Sequence, residues 1–140
     1  MTPSEVFSLV SKLAIFMWAL LIFLPKWKVT RFFIDYKIIP IILSLIYVVY
    51  IIQAMQIGGF MDFGSLTSVM ALFTEKNAVL AGWVHYLAFD LLIGMWILNQ
   101  NETLKIHHLL IIPCLFGSFM FGPIGFLLFI IMKAIKLKKA

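Results

Sequence analysis

The stretch AVLAGWVHYLAFDLLIGMWIL, residues 78–98, decides the class of fold to which this chain belongs. It contains no Lys, Arg or Glu, and about 20 apolar residues in a helix are enough to cross the hydrocarbon core of a bilayer. Yet His85 and Asp90 lie near its middle, where a charged side chain costs at least ~2.5–3.5 kcal/mol on insertion scales. Because ionisable residues at that depth are usually functional or paired, these two are the first candidates for a site.

The composition of the whole chain also indicates a lipid environment. Of its 140 residues, 64% are hydrophobic and 12% are charged, and the mean hydropathy is +1.09. In soluble domains about a quarter of the residues are charged. We therefore expect one integral membrane domain over residues 1–140, without a separate soluble module. The single cysteine, Cys114, excludes an intrachain disulfide and any CxxC metal or redox motif.

Four apolar segments are long enough to form transmembrane helices, and they cover residues 6–24, 38–57, 78–98 and 109–132. The short polar turn after residue 98 predicts that the third and fourth helices form an antiparallel hairpin. Residues 60–76 are too short and too polar to span, so we expect a loop with an interfacial or re-entrant helical turn there. The predicted fold is an all-α integral membrane protein, a four-transmembrane-helix bundle with this interfacial or re-entrant segment between helices two and three.

The net charge of +5 is concentrated in two basic clusters. One follows the first span and the other ends the chain, and their members are Lys26, Lys28, Arg31 and Lys37, and Lys133, Lys136, Lys138 and Lys139. Such clusters orient membrane proteins and contact anionic lipid head groups, and nothing else in the chain favours nucleic acid as a partner. Four spans place the clusters on opposite sides, in conflict with the positive-inside rule. Either one cluster lies outside or residues 60–76 add a crossing, so the orientation stays open.

Helical geometry gathers the polar residues of the third span on one side. At about 100° per residue, a face roughly 140° wide contains Gly82, His85, Tyr86, Asp90, Phe89 and Trp96. Trp83 flanks Asp90, and we expect the face to point into the bundle. In a functional interpretation, Asp90 and His85 are proton carriers or metal ligands. In a structural interpretation, Asp90 is protonated, or hydrogen-bonded to a Tyr or His of another helix, and only stabilises packing.

Small and polar residues also recur in the fourth span. His107, Cys114, Ser118 and Gly125 fall within a stripe ~40° wide, which favours close helix packing. The sequence FGPIGF, residues 121–126, indicates a proline kink in this helix. We therefore interpret the glycines first as packing residues.

Metal binding and hydrolase chemistry have little support in the sequence. In the predicted hairpin, His107 lies ~12 Å from the level of Asp90, and metal–ligand bonds of ~2 Å cannot join the two. A cluster of His107, His108 and Glu102 at the mouth of the bundle is the weak alternative for a metal. The chain has no glycine-rich phosphate loop, nucleophile elbow or HExxH motif. Its cofactor, if it has one, is unknown, and the sequence requires none.

The segments AGWVHYLAFDLLIGMWI and HHLLIIPCLFGSFMFGPIGFLLF resemble the abscisic-acid-deficient-four-like membrane protein family, which is associated with neoxanthin synthesis. The shared pattern combines W-x-H-x-x-A-x-D-L in the third helix with H-x(5)-P-C and a later G-P-x-G in the fourth. It covers residues 75–130, and the first half of the chain agrees only in hydropathy and length. The resemblance implies a small four-helix membrane protein.

The resemblance also implies chemistry on a carotenoid. Plant members are required for making neoxanthin from an epoxy carotenoid, an isomerisation that opens an epoxide and removes a carbon-bound proton. Such a reaction needs an acid and a base, and Asp90 and His85 are residues of that type. The expected substrate-binding residues are Trp83, Tyr86, Trp96, His107 and Ser118. Because the chain is rich in Ile and Lys, we expect a bacterial inner-membrane protein that acts on another carotenoid or isoprenoid.

The leading prediction is therefore a membrane protein that catalyses or assists the isomerisation of a carotenoid-like polyene. One alternative is a non-catalytic pigment- or lipid-binding subunit, in which the polar residues hold the helices together. Another is a small proton-coupled transporter with Asp90 as the carrier, which would need to oligomerise to enclose a pathway. The expected partners are a carotenoid or other polyene lipid, membrane lipids and further copies of the chain.

Overall fold

The computed structural model describes residues 2–58 and 62–139, with the side chains of residues 57 and 58 excepted. Within these ranges the chain forms seven helices: α1 (Pro3–Phe23), α2 (Lys28–Tyr36), α3 (Ile38–Gly58), α4 (Leu66–Leu72), α5 (Lys76–Leu104), α6 (His108–Phe121) and α7 (Pro123–Lys139). The all-α prediction is confirmed for the part of the chain that the structure describes.

Three of these helices, α1, α3 and α5, are long and apolar enough to cross a membrane. They confirm the predicted helices over residues 6–24, 38–57 and 78–98. A capping box of Thr2 and Glu5 starts α1, and the Glu75 side chain accepts a hydrogen bond from the Ala78 N–H at the start of α5. With 29 residues, α5 is about 43 Å long and matches a bilayer with its interfacial layers. It packs against both α1 and α3 and is the central element of the fold.

Two short helices connect the spans. The first basic cluster lies on and beside α2, an amphipathic helix that buries Thr30 and Ile34 and is followed by Lys37 in the left-handed conformation. The predicted helical turn in residues 60–76 is α4, although residues 60 and 61 lie outside the described residues. Just before α4, Asp62 accepts a hydrogen bond from the Gly64 N–H, which lowers the pKa of this exposed carboxyl. A charged residue at this position favours an interfacial location for the segment.

The predicted fourth helix over residues 109–132 is wrong as a single span. The chain turns sharply at Gly122, whose φ is +52°, and α6 and α7 fold back on each other as an antiparallel hairpin. The Cys114 sulfur lies 3.6 Å from that of Met132, whereas a continuous helix would separate these residues by ~27 Å. The proline at position 123 has no N–H and begins α7, so the Gly-Pro pair ends one helix and starts the next.

Gly125 allows the two arms of the hairpin to approach closely. Its Cα faces the Ser118 N–H and the Cys114 carbonyl of α6, and a Cβ at this position would overlap both. A Cβ on Gly117 would in turn lie 3.0 Å from the Cα of Gly125. The glycines thus pack closely as predicted, but the stripe on one continuous helix is wrong, because Gly125 lies on α7 and packs against Cys114 and Ser118 of α6.

We expect Gly125→Ala to destabilise the protein by about 1–3 kcal/mol, because the added methyl group forces the two backbones apart. Thermal unfolding in mild detergent measures this as a lower midpoint. Gly82→Ala is the matched control, since its Cβ would lie 3.4 Å from the Phe73 ring, an ordinary contact. Replacing a helical glycine by alanine without strain stabilises a helix by roughly 0.5–1 kcal/mol. Equal midpoints for the two variants would contradict the close packing at Gly125.

Compared with four full spans, the hairpin also changes the distribution of charge between the two ends of the bundle. Residues 24–37, 99–108 and 133–139 lie together at one end, here called the basic end. There Arg31 is 3.2 Å from the side-chain oxygen of Asn99, and Lys133 is 2.8 Å from that of Gln100. Nine of the eleven Lys and Arg residues are at this end, and the other two are Lys12 and Lys76. The conflict between the two basic clusters therefore disappears, because α7 returns to the side from which α6 enters.

The positive-inside rule predicts that the basic end faces the cytoplasm when the chain is made in a bacterial inner membrane. Single cysteines in a Cys114→Ser background, placed at Ser65, Thr103 and Lys139, test this with a membrane-impermeant maleimide. We expect Ser65→Cys to react in intact spheroplasts, and Thr103→Cys and Lys139→Cys to react only after lysis. Labelling of Thr103→Cys and Lys139→Cys from opposite sides would contradict the hairpin and support four spans.

Candidate functional site

Asp90 lies at the middle of the bundle, next to the turn of the hairpin. It is the central residue of α5, about 21 Å from either end of that helix. A Cβ on Gly122 would come within 2.8 Å of the Asp90 Oδ1 atom, so the carboxyl group occupies the space that the missing side chain leaves. The other oxygen, Oδ2, is buried and has no hydrogen-bond partner among the described residues. A buried carboxyl oxygen without a hydrogen-bond partner is costly, so this group is the first candidate for a functional role.

Tyr86 holds the tip of the hairpin one helical turn away from Asp90. Its hydroxyl donates a hydrogen bond to the Met120 carbonyl at 3.0 Å. That carbonyl is in the last turn of α6, where helix termination leaves backbone oxygens without intrahelical donors. The Trp83 ring stacks on Tyr86 at 5.6 Å, and its indole N–H donates to the Ser11 hydroxyl of α1 at 3.0 Å. These contacts connect α1, α5 and the hairpin around Asp90.

A cavity of about 260 Å³ opens beside these residues. Its walls come from α1, α5 and α6, and are formed by Ser11, Ala14, Ile15, Trp18, Trp83, Tyr86, Leu87, Asp90, Phe119 and Met120. Most of this lining is apolar or aromatic, and the polar side chains are those of Ser11, Tyr86 and Asp90. An apolar pocket with a few polar groups on one wall is the usual form of a binding site for a hydrophobic ligand.

His85 lies on another side of α5. Five residues before Asp90, it points about 140° away from it. The centroid of its ring lies 5.7 Å from that of Tyr47 of α3 and 4.7 Å from that of Phe89, and its side chain is exposed. The prediction that the two residues act as a catalytic pair remains a prediction, and in this structure their side chains face different neighbours.

The other predicted binding residues are distributed over the bundle. Trp96 packs against Phe126 and Phe129 of α7, with the Lys133 ammonium 6.0 Å from its ring. Ser118 is fully buried beside Gly125, inside the hairpin. His107 caps α6 at the basic end, where its Nδ1 accepts a hydrogen bond from the Leu109 N–H. Trp83 and Tyr86 are therefore the two predicted binding residues that line the Asp90 cavity.

The weak alternative of a metal at the mouth has no support from the geometry. Glu102 forms an ion pair with Arg31, and His108 Nε2 lies 2.7 Å from the Ile22 carbonyl. Within residues 2–58 and 62–139, no three His, Cys, Asp or Glu side chains converge as metal ligands would.

Several residues of the cavity were not predicted from the sequence. Gly122, the Met120 carbonyl, Trp18 and Phe119 all border Asp90 or its cavity. The signal for the first two is the Gly-Pro pair, which indicates a break in the helix as well as the predicted kink. Trp18 and Phe119 have no local signal, because aromatic residues in apolar spans are common.

Tyr86→Phe should loosen the tip of the hairpin, because it removes the hydrogen bond to Met120, which contributes about 1 kcal/mol. Hydrogen exchange followed by mass spectrometry in detergent should show faster exchange in peptides covering residues 118–126. Tyr47→Phe removes an equivalent hydroxyl from α3 and should leave these peptides unchanged. Unchanged exchange in both variants would contradict the proposed role of Tyr86 at the tip.

These features define a small polytopic membrane protein with a candidate site at the tip of a helical hairpin. A family model described as ABA DEFICIENT 4-like, or ABA4-like, matches residues 5–129 of the chain. The chain belongs to the ABA4-like family, and the resemblance seen over residues 75–130 is confirmed and extends through the first half. This membership connects the protein with carotenoid metabolism. Comparisons with curated proteins and with solved structures find no match.

Proposed function

We propose that this protein binds the ring end of an oxygenated carotenoid or related polyene in the Asp90 cavity and isomerises it by proton transfer. The observation that supports this most directly is the Asp90 carboxyl, which lies at mid-membrane depth against an aromatic-lined cavity with Oδ2 unpartnered among the described residues. Family membership supports the choice of substrate class.

The dimensions of the cavity favour binding of one end of the substrate. Pockets for drug-sized ligands usually have volumes of about 300–1,000 Å³, and 260 Å³ is below this range. Ile15 and Met120 line the cavity and are also 57% and 47% exposed on the outer surface of the bundle. The cavity is therefore open towards the lipid between α1 and α6. In our proposal a ring enters it from the membrane, and the polyene chain remains in the lipid.

Epoxide-to-allene isomerisation needs only proton transfers. One epoxide C–O bond breaks and its oxygen gains a proton, while a carbon-bound proton is lost, so there is no net redox change. Asp90 would take the carbon-bound proton. The Tyr86 hydroxyl would leave the Met120 carbonyl, donate its proton to the epoxide oxygen and regain a proton from Asp90. We choose Tyr86 as the second group because it lines the cavity with Asp90, whereas His85 faces α3.

We expect Asp90→Asn to lower turnover by about 10²–10⁴-fold, because proton transfer by a positioned side chain contributes an effect of this size. The variants are made in a host that accumulates an epoxy carotenoid, and the pigments are separated by chromatography. His85→Gln is the control, since it changes an ionisable residue of the same helix outside the cavity and should retain most of the activity.

The other outcomes identify the alternatives. Purified Asp90→Asn should retain its helical content and bound pigment. If it loses thermal stability and pigment together, Asp90 has a structural role. If wild type retains a pigment and never converts it, the protein is a pigment-binding subunit. A larger loss for His85→Gln than for Asp90→Asn would contradict the assignment of roles.

A proton-coupled transporter is the second candidate, and one feature favours it. In many transporters, interrupted helices end at mid-membrane and form the binding site there. Here α6 ends and α7 begins beside Asp90. This candidate predicts proton flux in liposomes that Asp90→Asn abolishes, which the isomerase does not require.

A further inference from the structure

A second and larger cavity lies at the basic end, well away from Asp90. Its volume is about 590 Å³. It is lined by residues from the loop after α1, from α2 and from the α5–α6 connection: Pro25, Lys26, Arg31, Leu98, Asn101, Glu102, Lys105, Ile106, His107 and His108. The reaction proposed for the Asp90 cavity does not use any of these residues.

The charge of this cavity is positive. Arg31 is neutralised by Glu102, with which it forms an ion pair, and its guanidinium also donates to Asn99. Both ion pairs in the described part of the chain involve Arg31. Lys26 and Lys105 therefore remain as cations without a carboxylate partner among the described residues. They come from different segments, one from the α1–α2 loop and one from the α5–α6 connection.

The walls of the cavity are held in place before any ligand binds. The Asn101 side chain donates to the Ile106 carbonyl at 2.9 Å and accepts from the Ile106 N–H at 2.8 Å. These two bonds fix the turn at Lys105, which has a φ of +55°. The contact between His108 Nε2 and the Ile22 carbonyl also joins the start of α6 to the end of α1. A preformed cavity loses little entropy when it binds a ligand.

The position of the cavity indicates where its ligand comes from. It lies where α1 and α5 end, at the level of the exposed Trp27, a residue type that is enriched at membrane interfaces. Its lining combines the two lysines with apolar groups of Pro25, Leu98 and Ile106. We propose that this cavity binds the phosphate head group of an anionic phospholipid, with the glycerol and upper acyl chains against the apolar wall. The ligand belongs to the leaflet at the basic end, where anionic lipids attract basic residues.

Native mass spectrometry of the purified protein in detergent tests the site, with added phosphatidylglycerol compared with phosphatidylcholine. We expect wild type to retain phosphatidylglycerol preferentially, and Lys26→Gln/Lys105→Gln to bind it about tenfold or more weakly. The matched control is Lys138→Gln/Lys139→Gln, which removes the same charge from the basic end outside the cavity and should change affinity less than about threefold. Lys26→Arg/Lys105→Arg keeps the charge and should restore binding, which separates loss of the site from loss of the fold.

Two further outcomes complete the test. If both glutamine variants weaken binding equally, or if neither does, the attraction is diffuse and the proposal is overturned. Inorganic phosphate, titrated against wild type, distinguishes the sources of the anion. Displacement of phosphatidylglycerol by phosphate in the wild type, with the same sensitivity to Lys26→Gln/Lys105→Gln, supports a phosphate-recognising site. Tight retention of phosphate with no retention of phosphatidylglycerol would overturn the lipid assignment. None of these measurements depends on carotenoid turnover, so the two proposals can fail separately.

Discussion

The structure depends on how a break between two helices is tolerated inside a bilayer. The backbone groups that a helix end leaves free have no water to bind at that depth, and each unsatisfied group costs several kcal/mol. Here other groups of the protein form hydrogen bonds with the backbone around Gly122. The Gly122 N–H donates a hydrogen bond to the Ser118 carbonyl, and the Phe126 N–H donates one to the Gly122 carbonyl. The Met120 carbonyl accepts a hydrogen bond from the Tyr86 hydroxyl. Pro123 contributes no N–H that would need a partner.

The same turn explains why a carboxyl group is found at the centre of α5. Gly122 has no side chain, and the space that a Cβ would occupy is filled by the Asp90 Oδ1 atom. The aspartate is thus in contact with protein backbone on one side and with the aromatic-lined cavity on the other. Lipid exposure, the main cost of an intramembrane acid, is reduced by this packing. The single break between α6 and α7 therefore creates both the hairpin tip and the candidate site.

The return of the chain at Gly122 also makes the charge distribution consistent. A fourth full span would carry the last lysines to the side opposite the first basic cluster, whereas the hairpin brings them to Gln100 and the basic end. The two cavities are then separated along the bundle axis. One lies at the depth of Asp90 and has an almost entirely apolar lining, and the other lies at the interface and is cationic. Each thus corresponds to a different part of the bilayer.

The sequence by itself determined the membrane class and the three long helices, because hydropathy and length are local properties. It also singled out Asp90 as a candidate, because a lone acid in an apolar span is conspicuous. It also indicated the packing role of Gly125. Only the tertiary structure decided that residues 109–132 form a hairpin, that Tyr86 lines the Asp90 cavity while His85 faces α3, and that both basic clusters share one end. The physical reason is that a Gly-Pro pair is compatible with a kink or with a full reversal. The choice between them rests on contacts with residues distant in sequence, such as Tyr86 and Asp90 with the turn and Gly125 with Cys114.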